Sequence, residues 1–376
     1  MLRGVAAVSL LLLQRAWGYT VTLPDILYNG TVTAESTSIE GNLDGPKLTP
    51  RANSTSFDWW YFDAVSASTN ASVTVVFYEA GPNGFINDYL GGPLSVSISG
   101  SFANGTLFSL SASATGGAII HVDDDGIDAE WKGSGFSILG TGLTTSHATY
   151  VVTVDSPTIG VEGSFTLKSH APAHYPCGLN VPGVSEIMVP HVFWSNAVPD
   201  ASAFVNLTIG GSPLAFHDGV GYHDKNWGDA PFVTTTSSWY WGHARLGPYS
   251  LVWFDALDLA GTEYFSGYVA KRGKVLQASC ATGAAVARPW GANDAYPPVF
   301  STGVMQGLEV RFDLGEGETL VANVTTGLPV VDVGAYVRTL GTVTGAVEGP
   351  GGCKIVYEGR TLFEEFKFTG VPGLKL

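Results

Sequence analysis

Apolar and polar residues alternate in short runs along most of the chain: SVTVVFYEA from Ser72, PLSVSISGSF from Pro93, ATYVVTVD from Ala148, LEVRFDL from Leu308 and RTLFEEFKF from Arg360. A period of two is the signature of a strand with one face inward, and most of these runs end at Gly, Pro, Asn or Asp, as strands joined by turns do. No segment sustains a 3.6-residue apolar period over three turns. The pattern therefore predicts an all-β protein. A polar stretch containing Pro199 precedes a new series of strands after residue 210, which divides the chain into an antiparallel β unit over 19–210 and a barrel-like unit over 211–376. No repeat of 20 to 50 residues is present, which disfavours a solenoid.

One strand stands apart. Residues 57–63 read FDWWYFD. Alternation puts Asp58, Trp60 and Phe62 on one face and Phe57, Trp59, Tyr61 and Asp63 on the other. Both faces are aromatic, so both are covered. The face of Asp58 and Trp60 is expected to line a ligand cavity, and Asp63, at the far end, to anchor backbone or the neighbouring unit.

Two further clusters carry chemistry. FHDGVGYHDKNWGD holds His217 and His223, each followed by an aspartate, with Tyr222, Asp224, Lys225, Asn226 and Trp227 close together. It lacks H-E-x-x-H or Cys/His ligand spacing, so no metal is expected. SSWYWGHARLGPYSLVWFDAL reads as a hairpin turning near Gly247 and Pro248. Trp239, Trp241, His243 and Arg245 share one face before the turn, and Leu251, Trp253 and Asp255 another after it; a row of rings ending in polar groups describes a pocket wall. There is no G-x-G-x-x-G after a strand, no P-loop and no G-x-S-x-G elbow.

Composition adds limits. The chain has 376 residues, 48 of them Gly and 20 Pro, with 12% aromatic and 14% charged residues. The formal charge of −15 leaves no basic stripe for nucleic acid or anionic lipid, so a small apolar molecule is the expected partner. Residues 1–18 have the layout of a signal peptide, and the apolar run is too short to span a bilayer. Sequons at Asn29, Asn53, Asn70, Asn104, Asn206 and Asn323 agree with passage through the secretory pathway, toward export or the endoplasmic reticulum lumen. Of three cysteines, Cys280 and Cys353 can pair within the second unit and leave Cys177 odd; three buried free thiols are the alternative.

Asp58, Trp60, Tyr61, Phe62 and Asp63 resemble the [D/E]-x-W-Y-F-D opening motif of a two-domain β family, and Gly221–Gly228 (GYHDKNWG) resembles its mid-chain motif. The family includes carotenoid hydratases, kievitone-type hydratases and fungal Diels–Alderases. The resemblance implies an N-terminal antiparallel β-sandwich followed by a C-terminal lipocalin-like barrel, with a substrate pocket between or inside them and no cofactor. It implies Asp58, Tyr61, His223, Asp224 and Asn226 as the catalytic set. Trp59, Trp60, Tyr222, Trp227, Trp239, Trp241, His243, Arg245 and Trp253 form the substrate-binding set.

Three activities follow from the resemblance. A (hetero-)Diels–Alderase-type cyclase, the leading expectation, would hold an unsaturated polyketide or terpenoid-derived substrate in a near-attack pose and polarise it with a hydrogen-bond donor. A hydratase would protonate an alkene through a buried carboxylic acid, with Asp58 or Asp63 paired to His223 or Asp224. A lipocalin-like carrier would need the aromatic cavity alone. The leader and sequons resemble the hydratase and hetero-Diels–Alder branches and depart from the cytosolic decalin-forming cyclases.

Overall fold

The computed structural model describes residues 18–85, 92–350 and 355–373. The expected signal peptide, apart from Gly18, and Cys353 lie outside the described residues. Regular structure in the described residues is strand, with a 3-10 turn at Phe232–Thr234. The all-β expectation holds, in two large antiparallel sheets and a small two-stranded one formed by Thr33–Ala34 and Leu48–Thr49.

The first sheet runs from an edge at Tyr19–Leu23 through the strands between Ala118 and Ser169. It continues into Val192–Ile209, Ser212–Gly228, Phe57–Ser66, Ser72–Ala80, Leu94–Ser101 and Leu107–Ser113. It folds back on itself, so that one arm packs on the other. Trp131 meets Trp60 at 5.1 Å and Phe77 at 4.9 Å between ring centroids. The sandwich is thus one continuous sheet, with the inward residues of both arms as its core.

The second sheet has nine strands. Within it Thr236–Leu246 is flanked by Tyr249–Asp258 and the central strand Tyr357–Lys367, with Tyr336–Glu348 beyond. It curls around Leu251, Trp253, Val269, Leu308 and Phe312 as a barrel-like trough. Side chains close the gap between its end strand Ala285–Trp290 and the Tyr249–Asp258 strand. Asp255 accepts the Ala287 N–H at 2.8 Å and pairs with Arg288 at 2.8 Å.

Residues 210 and 211, where the sequence suggested a division, are the glycine tip of a hairpin, with φ of 56° and 78°. Both arms of that hairpin are neighbours in the first sheet, and the chain changes sheet between Gly228 and Thr236. The mid-chain motif therefore pairs directly with the opening motif. Asp58 lies opposite Trp227, Trp60 opposite Lys225 and Phe62 opposite His223.

The cysteine expectation is corrected. Cys177 is bonded to Cys280, 103 residues away, tying the segment after His174–Tyr175 to the end of the Lys274–Ser279 strand. Spacing favoured a local pair, but the fold brings the first sheet's connecting segment against the second sheet. A cross-link over so long a loop restricts the unfolded chain strongly, so Cys177→Ser is expected to lower stability by about 2–4 kcal/mol in urea unfolding. Equal midpoints for wild type and variant under non-reducing conditions would show that the bond constrains nothing. Five sequon asparagines (Asn29, Asn70, Asn104, Asn206 and Asn323) are exposed, whereas Asn53 is half-buried and donates its amide to Gly30 O at 3.0 Å.

Candidate active site

The pairing of the two motifs decides which residues share a face. Trp59, Tyr61, Asp224 and Asn226 project from the first sheet toward the second, and Trp239, Trp241, Phe254, Tyr336, Arg338, Glu364 and Phe366 meet them from the other side. Between the walls lies a narrow cleft. Ring faces line it from both sheets, so the space is a slot suited to a flat guest. Its rings pack edge to face: Trp239 with Phe366 at 4.6 Å and 89°, Trp239 with Phe254 at 4.7 Å, Tyr61 with Trp241 at 5.4 Å.

Among the described residues, Asp224 and Glu364 are the two carboxyls that line this slot. The Asp224 carboxyl is held by its neighbours. Its Oδ2 accepts the indole N–H of Trp194 at 2.8 Å and the hydroxyl of Tyr222 at 2.8 Å. Both donors hold the carboxyl at one oxygen and stabilise its charged form. Burial outweighs them and pushes the pKa up to about 7. Near neutrality Asp224 is therefore poised between proton donor and acceptor.

On the facing wall Glu364 Oε1 accepts Arg338 Nε at 2.8 Å and the Tyr336 hydroxyl at 2.6 Å. Arg338 also reaches Ser99 Oγ at 3.2 Å, so a residue of the second sheet is held by the first. Its guanidinium lies 5.2 Å from the Tyr61 ring centroid. Four polar atoms of the cleft residues have no partner among the described residues: Tyr61 Oη, Asn226 Oδ1, Trp239 Nε1 and Trp241 Nε1.

Several expected site residues lie elsewhere. Asp58 and Trp60 point away from the cleft, into the folded first sheet. Asp58 is fully buried, ion-paired to Lys225, and accepts the Lys47 N–H at 2.9 Å. Lys225 Nζ sits 3.2 Å from the Trp60 ring centroid. His223 faces the same interior, stacked on Phe62 at 3.7 Å, with Nε2 3.0 Å from Asp44 Oδ2. Trp227 donates to Glu35 O at 2.7 Å in a separate small core. One residue of register carries each of these to the opposite face from its neighbour.

The hairpin residues divide in the same way. Trp253 points into the trough of the second sheet, over Gly242, where even a Cβ would stand 2.3 Å from its ring. Arg245 lies at the rim on Asp200, at 2.6 Å. Tyr222 and His243 form a second row behind the cleft wall. Their rings stack at 4.6 Å, and His243 Nε2 lies 3.0 Å from Asp63 Oδ2, joining the two sheets.

Sequence reading missed Tyr78, Phe254, Tyr336, Arg338, Glu364 and Phe366. The signal available was the opposed charge of Arg338 and Glu364 inside alternating apolar runs, and the two are direct cross-strand partners.

Two antiparallel sheets closing on an aromatic slot with a buried acid define a β-protein shaped to enclose a small, largely apolar molecule. The chain belongs to the Diels-Alderase-like family, whose model matches residues 24–286. It is 43% identical over 349 residues to the quinolone epoxide rearrangement protein penF of Penicillium thymicola, covering 93% of this chain and 95% of that protein. It is 42% identical over 349 residues to the quinolone epoxide rearrangement protein asqO of Emericella nidulans, covering 93% of each. The crystal structure of CghA with Sch210972 superposes with a TM-score of 0.74 over 94% of this chain and 99% of that one, at 16% identity, which is a likeness of fold.

Proposed function

We propose that the protein is a cofactor-free isomerase that opens and rearranges an epoxide carried on a flat aromatic heterocycle, with Asp224 as general acid. The observation that carries this reading is the Asp224 carboxyl, buried in an aromatic slot with Oδ2 occupied by two donors, where burial pushes its pKa up to about 7. The names of the full-length relatives support the substrate class.

The reaction balances within the substrate. Asp224 gives its proton to the epoxide oxygen as one C–O bond breaks, leaving a hydroxyl and an electron-deficient carbon. A neighbouring group of the same molecule then bonds to that carbon, and a proton lost in the process returns to the carboxylate. The ring faces of Trp59, Trp239 and Trp241 suit the transient positive charge, since a desolvated cation over indole gains about 2 kcal/mol. The tight slot disfavours capture of the cation by water.

The family's name favours a second reading in the same slot, the pericyclic (hetero-)Diels–Alder closure expected from sequence. Positioning between the walls and polarisation by a hydrogen-bond donor would then do the work. Incubation with a quinolone epoxide is expected to give a product of unchanged mass without the epoxide. A gain of one water would replace the isomerase by an epoxide hydrolase. Recovery of intact epoxide, with turnover of a diene–dienophile substrate, would favour the pericyclic reading.

A further inference from the structure

Asn226 sits on the cleft face of the mid-chain motif, 4% exposed, and its amide oxygen has no hydrogen-bond partner among the described residues. A buried acceptor left unmet costs about 1–3 kcal/mol, a cost that a bound molecule with an N–H removes. The same slot holds unmet donors, the indole N–H groups of Trp239 and Trp241 and the Tyr61 hydroxyl. A thin space between rings, with an acceptor and donors in its walls, is the complement of a flat ring that carries both N–H and C=O.

We infer that Asn226 determines substrate specificity by accepting the ring N–H of a cyclic secondary amide, whose carbonyl accepts from Trp239 or Tyr61. This rests on the proposed function for the identity of the site and deepens it by naming the group the slot reads. An amide side chain suits the task, because its oxygen and NH2 can engage the adjacent N–H and C=O of a lactam together. Methylation of that nitrogen would remove the donor and place a methyl group against a buried oxygen. A site built on such a hydrogen bond rejects an analogue that lacks it more strongly than an apolar wall would.

The test measures binding without turnover, using quinolin-2(1H)-one and its N-methyl derivative as probes and quenching of tryptophan fluorescence as the readout. Wild type is expected to bind the N–H compound about tenfold or more tightly than the N-methyl one. Asn226→Leu is expected to erase that preference by weakening the N–H compound and leaving the N-methyl one within about twofold. Asn226→Asp, which keeps an acceptor in the same place, is expected to retain it. Should the Leu variant not fold, Asn226→Ala reads the same difference. Equal affinities in wild type, a preference that survives in the Leu or Ala variant, or no binding of either probe at millimolar concentration would overturn the inference. A retained preference in an enzyme whose turnover survives Asp224→Asn would instead remove the acid assignment alone.

Discussion

Asp224→Asn is expected to lower turnover of the epoxide by about a thousandfold, within the range that positioned general acids contribute, and to leave binding within about threefold. The substitution is nearly isosteric. An amide oxygen can still accept from Trp194 and Tyr222, so the slot keeps its shape while the transferable proton is lost. The pH dependence follows from the same group. Its pKa, pushed up to about 7 by burial, makes the protonated form the majority below neutrality. Activity through kcat/KM should therefore be level at lower pH and fall about tenfold per unit above pH 7. The sign is that of an acid, since raising the pH removes the species that works. Asp224 also favours the folded state while protonated, and that contribution is lost as pH rises through the folded value. Full activity in Asp224→Asn, or a rate that stays level from pH 7 to 9, would place the proton donor elsewhere.

The second large effect is on stability. Asp58→Asn is expected to destabilise the fold by about 3–5 kcal/mol, because it leaves the Lys225 ammonium fully buried with its carboxylate partner gone. Burial already pulls the Lys225 pKa down to about 8, with Asp58 acting against that pull. Removing Asp58 lets it fall further. Between the folded and unfolded values of a lysine, the unfolded state holds the extra proton, so stability rises with pH across that window. Wild type shares that rise above about pH 8, so the defect should shrink as the pH is raised toward 8 and level off above it, and Asp58→Asn combined with Lys225→Met should recover most of it. Chemical denaturation at three pH values checks this. Unchanged stability in Asp58→Asn, together with selective loss of turnover, would return Asp58 to the catalytic set.

These two aspartates show what could be read in advance. The opening motif identifies a buried strand with two aromatic faces, and alternation sorts its residues correctly into the set of Asp58, Trp60 and Phe62 and the set of Trp59, Tyr61 and Asp63. The first set, expected to line the cavity, packs instead inside the folded first sheet. Its carboxylate is matched by Lys225, which is itself part of the mid-chain motif and on the same face by register. In that motif the more familiar catalytic type, His223, is a packing residue, whereas Asp224 and Asn226 face the slot. The opposite wall was half visible: Trp239 and Trp241 were singled out, but Tyr336, Arg338 and Glu364 come from strands near the C-terminus that no motif marks.

Local composition and a period of two determined the all-β class, the strand positions and the partition of each strand into two faces, because each depends on neighbours a few residues apart. Which face encloses a slot, which acid loses its water and keeps a proton, and which cysteine finds a partner were decided by tertiary structure alone. The cause is that a pleated strand is symmetric between its two sides until something packs on them. Here that something is the far arm of the same sheet on one side and a second sheet, more than a hundred residues away in sequence, on the other.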